Sequence, residues 1–217
     1  MGTKISELTA LTTPLESDVV AIVNSSETKK VRLDKVLTTY YPATTLWDDM
    51  RVAIEATKLK GAKDPDYNQF KDDGSGSVGV FTYLFDSATE EEVFFSVQVP
   101  HSYKLGTDFH PHVHWTPTST STGSVTWGLE YTIADINETF GNTNTITGSD
   151  AAEGAYKHQL CEIGTISGTT QVSAMMACRL FRNATSTGDT YGSDAAVLEF
   201  DIHFEIDSNG SKNEYSK

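Results

Sequence analysis

The chain has 217 residues, a net charge of −14 and 38% hydrophobic residues. This hydrophobic content is sufficient for a packed core, and the length fits one all-β domain with a small extension. With 16 basic and 30 acidic residues, the chain lacks the Lys/Arg excess that a nucleic-acid-binding surface needs. The sequence also has no apolar run of about 18 residues and no apolar signal-peptide core at its N-terminus, so we expect neither a membrane-spanning nor a secreted protein.

The first 40 residues predict a small N-terminal module. Residues 17–24 predict a strand, 25–28 form a polar tip, and 29–33 predict the returning strand of a hairpin. Helical spacing over 33–37 adds about one turn of helix. A module this short cannot bury a stable core of its own, so we expect it to dock on another surface. Its candidate docking side chains are Ile5, Leu8, Val20, Ile22, Val31 and Leu33.

Residues 41–77 predict a linker followed by an exposed loop. Pro42 stops the short helix, because the residue before a proline disfavours helical geometry. Residues 58–77 are rich in Gly, Lys, Asp and Pro and contain few apolar residues. Their Gly-Ser-rich run has neither the preceding strand nor the following Lys-Ser/Thr of a phosphate-binding loop.

Residues 78–207 predict the main domain, because their apolar residues recur with a period of two. Polar turn clusters separate the predicted strands, which lie at 79–85, 93–99, 110–116, 125–133, 171–181 and 197–206. No amphipathic helix follows residue 60. The sequence therefore predicts an all-β fold, an antiparallel β-sandwich of the jelly-roll type. Residues 208–217 predict a flexible tail.

Two of these strands predict core faces. In 125–133, Val125, Trp127, Leu129, Tyr131 and Ile133 share one side of the strand. In the last strand, a core face of Leu198, Phe200, Ile202, Phe204 and Ile206 lies opposite Glu199, Asp201, His203 and Glu205.

Nothing in the sequence matches the motif of a nucleophilic enzyme. There is no Gly-x-Ser-x-Gly elbow, and the acidic pairs lie in predicted loops or at strand starts. Cys161 and Cys178 have no CxxC spacing and no adjacent His, and both lie in apolar runs. We expect two buried free thiols and a protein that is not an enzyme.

Three alternating histidines are the clearest candidate site. His110, His112 and His114 lie on one face of a predicted strand, spaced roughly 6.6–6.8 Å apart. In one interpretation they line a polar sheet face or a subunit interface, with hydrogen bonds to Glu130, Glu199 or Asp201. In the other they bind a transition metal ion, for which imidazole is a common ligand. That site would consist of His110, His112, His114 and His203.

Two blocks of sequence resemble structural proteins of tailed bacteriophages. Three segments, Lys4–Leu8, Ser17–Asn24 and Thr28–Leu37, resemble the N-terminal segment of tail-fibre and appendage subunits. A second block, similar to one in phage and prophage structural proteins, consists of Phe95–Lys104, Gly106–Asp108, His110–Trp115 and Trp127–Tyr131. The resemblance implies a virion subunit, assembled in the host bacterial cytoplasm, that attaches to capsid or tail proteins through residues 1–40. It would present a homotrimeric β-sandwich as a head fibre, a capsid decoration, or a tail or neck appendage.

Two other functions fit the same residues. A host-glycan-binding adsorption module would use exposed aromatic rings, with Tyr103, Trp115 and Tyr191 as candidates. A cupin-like metal-binding protein would use His112, His114 and His203.

Overall fold

The computed structural model describes residues 15, 18–24, 27–32 and 45–217. The chain divides into two compact units, Met1–Leu46 and Trp47–Lys217. In the first unit, β1 (Val19–Asn24) and β2 (Glu27–Arg32) form the predicted antiparallel hairpin. Val20 lies opposite Val31, and Ile22 lies opposite Lys29. The other candidate docking residues, Ile5, Leu8 and Leu33, lie outside the described residues, as does the predicted helical turn.

The rest of the chain is built from strands. They are β3 (Leu46–Ala53), β4 (Asp66–Lys71), β5 (Val80–Phe85), β6 (Glu91–Gln98), β7 (Phe109–Pro117), β8 (Ser124–Ala134), β9 (Asn144–Ala151), β10 (Gln159–Glu162), β11 (Met175–Arg182) and β12 (Ala195–Ile206). A single 3-10 turn at Ile54–Ala56 is the only helix in the described part of this region. In the described part of the chain no helix has the length and apolar character needed to cross a membrane.

The strands form two sheets with jelly-roll topology. The first sheet has the order β10-β7-β12-β5-β4, and β3 also pairs with β12. The second sheet has the order β6-β11-β8-β9, and its neighbouring strands pair antiparallel. From β5 to β12 the chain changes sheet at every step except from β8 to β9. As a result β5, β12, β7 and β10 oppose β6, β11, β8 and β9, which is the jelly-roll arrangement. The predicted fold class is confirmed.

The hydrophobic core lies between the two sheets. Trp127 of β8 contacts Phe85 of β5 edge-on, with ring centroids 5.3 Å apart. The predicted core faces are buried at Val125, Trp127, Leu129, Phe200, Ile202 and Phe204. In β12 Ala195 and Val197 are buried in the core and Leu198 is only half-buried, because a bulge shifts the register against β7 between Val197 and Glu199. Cys161 and Cys178 are free and buried, as expected.

The interval 41–77 is not only linker and loop, because it contains β3 and β4. In β3, Met50 and Val52 are buried and alternate with the exposed, charged Asp49 and Arg51. Only these two positions are buried, so the sequence of β3 is similar to that of an exposed loop. β4 pairs with β5 at the edge of its sheet and is exposed at nearly every position. Backbone pairing and surface ring contacts, such as those of Tyr67 with Phe81 and Tyr83, hold this strand, so its side chains carry no hydrophobic period.

Candidate functional site

The outer side of the first sheet carries a histidine face, which consists of His110, His112, His114, His158 and His203. His110, His112 and His114 alternate along β7 with buried Phe109, Pro111, Val113 and Trp115, as predicted. The antiparallel register with β12 sets His110 opposite His203, His112 opposite Asp201, and His114 opposite Glu199. His158 joins them because it precedes β10, the other neighbour of β7.

Asp201 is the centre of this face. It is 5% exposed, and its Oδ1 lies 3.1 Å from Nδ1 of His112 while its Oδ2 lies 2.7 Å from Nε2 of His114. Burial opposes ionisation of Asp201, but the hydrogen bonds from both histidines outweigh it and lower its pKa. The hydrogen bond between His112 and Asp201 raises the pKa of His112, although burial of the ring acts in the opposite direction. The interpretation in which Asp201 binds the histidines therefore has a direct geometric basis.

A second carboxylate holds His203. Oδ1 of Asp49 in β3 lies 2.6 Å from Nδ1 of His203. Trp47, two residues earlier in β3, stacks on His203 with ring centroids 4.7 Å apart and planes at 6°. Next to them, Arg51 donates two hydrogen bonds of 2.8 Å to Glu199. Alternation along β3 thus places Trp47, Asp49 and Arg51 over the outward residues of β12.

The other candidate acidic residues do not hydrogen-bond to the histidine face. His110 is 3.8 Å from Glu162, and Glu205 pairs with Lys104 at 2.6 Å. Glu130 belongs to the other sheet and bonds Arg179. Within the described residues, no group of three or more His, Cys, Asp and Glu side chains is placed to hold a metal ion.

Sequence reasoning missed His158 and Asp49. His158 stands beside a four-residue strand, which is too short to give a periodic signal. Asp49 looks like half of a solvated acidic pair, and its role depends on a contact 154 residues away in sequence. The alternation of Trp47, Asp49 and Arg51 with buried Met50 and Val52 was the only available signal.

The outer side of the second sheet carries a different candidate site, a groove around Phe94. The segment 58–63 runs beside β6 through backbone hydrogen bonds between Lys58 and Phe94 (2.8 and 2.9 Å) and from Glu92 to Lys63 (2.8 Å). Three adjoining depressions of about 930, 460 and 220 Å³ lie along β6 and β11, and Phe94 lines all three. The largest extends to β3 at Met50–Ala53, and the smallest extends to β8 at Glu130 and Thr132. We call this feature the Phe94 groove.

Arg179 lies in the Phe94 groove and is held by three carboxylates. Its Nε donates to Glu130 at 2.9 Å, and its Nη1 donates to Glu92 at 2.6 Å and to Glu90 at 3.2 Å. Its guanidinium also lies 4.1 Å from the ring centroid of Phe181. These contacts fix the plane of the guanidinium, while Nη2 has no hydrogen-bond acceptor among the described residues.

The aromatic residues first considered for glycan binding are part of the core. Tyr103 and Trp115 are 0% exposed and Tyr191 is 1% exposed, so a ligand has no access to these rings. Tyr103 donates to the backbone carbonyl of Thr107, and Trp115 donates to Asp150 at 2.9 Å. Their polar atoms thus have internal partners, as buried Tyr and Trp require.

No protein-family model and no curated protein matches the sequence. Solved structures with a similar arrangement include the CBM35 domain from Cellvibrio japonicus Abf62, at 12% identity over 76% of this chain and 100% of that chain, with a TM-score of 0.39. The Podospora anserina GH26-CBM35 β-(1,4)-mannanase is 6% identical over 74% of this chain and 28% of that chain, with a TM-score of 0.37. A chain of infectious bursal disease virus, Gx strain, is 9% identical over 91% of this chain and 39% of that chain, also at 0.37. All three TM-scores lie below 0.5, so function has to be argued from the sites themselves.

Proposed function

We propose that the jelly-roll domain is a non-enzymatic module that binds a glycan chain in the Phe94 groove. The observation that carries this proposal is the combination of a half-buried aromatic ring with a fixed guanidinium whose Nη2 is free to donate. Sugars present apolar C–H faces, which pack on aromatic rings, and vicinal hydroxyls, which accept hydrogen bonds from planar donors. Both groups lie in one open groove.

The charges of the groove favour a neutral polysaccharide. Lys60 lies 3.6 Å from Glu92 and Lys63 lies 3.1 Å from Glu90, so these two cations of the groove wall are paired with carboxylates. A strongly charged ligand would have to disrupt these pairs. A neutral glycan only needs hydroxyl groups that replace water on Arg179, Ser96 and Gln98.

The test is a glycan array and affinity gel electrophoresis with wild type, Phe94→Ala and Phe81→Ala. Phe81 is 37% exposed on β5 and lines none of the three depressions, so it is the matched control. We expect wild type and Phe81→Ala to be retarded equally by a neutral polysaccharide and Phe94→Ala to migrate freely. Equal retardation of all three proteins, or of none, would overturn the proposal.

A second candidate function is a structural subunit of a bacteriophage virion. Its support is the division of the chain after Leu46 together with the phage-like N-terminal segment. In this function residues 1–40 attach to capsid or tail proteins, and the jelly roll points outward as a homotrimer. Glycan binding would then serve host adsorption.

Two measurements test the virion role. Light scattering of the purified protein should give about three times the chain mass of 23.7 kDa. Deletion of residues 1–40 should leave the β-sandwich folded and prevent its rebinding to particles that lack the protein. A monomer, or full rebinding of the truncated chain, would contradict this role.

A further inference from the structure

We propose that His112 and His203 form a binding site for a divalent transition metal ion on the histidine face. The two residues are diagonal neighbours on the adjacent strands β7 and β12. Their ring centroids lie 5.8 Å apart with planes at 41°. Two imidazoles at this separation can bring one nitrogen each to a single ion with small rotations of the rings.

The carboxylates fix which nitrogen of each ring is available. Nδ1 of His112 lies 3.1 Å from Asp201, and Nδ1 of His203 lies 2.6 Å from Asp49. An ionised carboxylate only accepts hydrogen bonds, so each Nδ1 carries the proton. In the neutral ring the lone pair is then on Nε2. Metal-binding histidines typically have this arrangement, in which a carboxylate orients the ring and raises its basicity.

The neighbouring histidines are differently engaged. His114 uses both ring nitrogens, since Nε2 donates to Asp201 at 2.7 Å and Nδ1 lies 2.7 Å from Nε2 of His158. With Nε2 of His114 protonated, His158 is the donor of the second bond. Both ring nitrogens of His114 therefore have hydrogen-bond partners, and the His114–His158 pair is a matched control for metal binding.

The surroundings of the pair favour an open, nitrogen-rich site. Trp47 stacks on His203 and packs edge-on against His110 with ring centroids 5.5 Å apart, so it covers one face of His203. The side chain of His203 is 36% exposed, which leaves room for water molecules as the other ligands. Two imidazoles with water suit Cu²⁺, Ni²⁺ and Zn²⁺, with Cu²⁺ bound most tightly.

Isothermal titration of tag-free protein with CuCl₂, NiCl₂ or ZnCl₂ at neutral pH tests the site. We expect one ion per chain, with Cu²⁺ tightest, and quenching of tryptophan fluorescence by Cu²⁺ because Trp47 lies against His203. His112→Asn and His203→Asn should each abolish saturable binding, and His158→Asn should retain it. Asp49→Asn should weaken binding about 10- to 100-fold, since it removes the carboxylate that orients His203.

Wild type without saturable binding of any of the three ions would overturn the proposal. It would equally be overturned if His158→Asn lost binding as completely as His203→Asn, because the ion would then lie at the other pair. Thermal melts of each variant establish that it is folded before its titration is interpreted. The glycan array is a separate readout, because neither His112 nor His203 lines the Phe94 groove.

Discussion

Arg182 and Asp189 form an ion pair in the interior of the β-sandwich, with side chains 0% and 1% exposed. Two bonds of 3.0 and 2.8 Å join the guanidinium to the carboxylate. The remaining N–H groups of Arg182 donate to the backbone carbonyls of Phe85, Ser193 and Tyr191 at 2.6–3.0 Å. The pair therefore connects the end of β5 to the loop between β11 and β12.

Replacing Arg182 with Met should strongly destabilise the fold. The change leaves Asp189 buried without its counter-ion and leaves three carbonyls without a donor, so we expect a loss of about 3–5 kcal/mol in the free energy of unfolding. Urea denaturation followed by tryptophan fluorescence measures this. Lys104→Met is the control, because the exposed Lys104–Glu205 pair should contribute at most about 1 kcal/mol. Equal losses in the two variants would contradict the role given to Arg182.

Gly128 of β8 should not tolerate a side chain. A Cβ atom there would lie 2.2 Å from the ring of Phe181, the residue opposite it on β11. We expect Gly128→Ala to lose about 1–3 kcal/mol of stability because the ring must move. Gly141 has open space around its Cβ position, so Gly141→Ala should be close to wild type in the same denaturation experiment. Stability equal to wild type in Gly128→Ala would show that the ring relaxes at no cost.

The His112–Asp201 pair should make stability depend on pH. The raised pKa of His112 gives a stabilisation that is complete below its unfolded value of about 6.5 and is lost as pH rises through the folded pKa. The lowered pKa of Asp201 gives a stabilisation that is complete above about 3.9 and is lost as pH falls through the folded pKa. Between about pH 4 and pH 6.5 both His112 and Asp201 therefore contribute to the stability of the fold.

Thermal melts across this range, with wild type and His112→Asn, measure the effect. We expect the difference in melting temperature between the two proteins to be greatest between about pH 4 and 6.5 and to shrink as pH rises further. His110→Asn is the matched control, since His110 lies 3.8 Å from Glu162, beyond hydrogen-bond distance. A constant difference across the whole range would show that His112 contributes only through packing.

Both cysteines should resist thiol reagents in the native protein. Burial raises the pKa of Cys161 and of Cys178 to about 12, so the reactive thiolate is scarce at neutral pH. We expect negligible labelling by a chromogenic disulfide reagent in buffer and two thiols per chain in denaturing urea. Rapid labelling of one thiol without denaturant would indicate that its strand opens locally.

The sequence predicts most of the sandwich because its inner strands follow a simple alternation. Trp127 and Phe200 lie on runs where every second residue is apolar, and both are fully buried. This alternation does not predict β4, because an exposed edge strand needs no apolar face. The alternation is also weak in β9, since Ile146 is the only large hydrophobic residue in Asn144–Ala151 and the other half-buried positions are small or polar.

The two candidate sites differ in how much of them could be predicted. The shared orientation of His110, His112 and His114 follows from the period of a strand, and the nearness of His203 follows once the last strand is assumed to pair beside it. The Phe94 groove does not follow from any local pattern. Arg179 meets Glu90 and Glu92 only through the pairing of β11 with β6, 89 and 87 residues apart in sequence. The pairing of β11 with β6 can be predicted only when the topology of the sheet is known.

The position of β12 bears on the order in which the molecule can assemble. It is the last strand in the described chain, yet β7, β5 and β3 all pair with it. During synthesis those three strands emerge long before their common neighbour, and closing loops of about 150 residues, such as that from Asp49 to His203, is entropically slow. The hairpin of β1 and β2 can form as soon as it is made, whereas the sandwich has to wait for its last strand. Until then the unpaired edges of β5 and β7 are exposed to aggregation, which makes the synthesis of β12 the step at which chaperones would matter most.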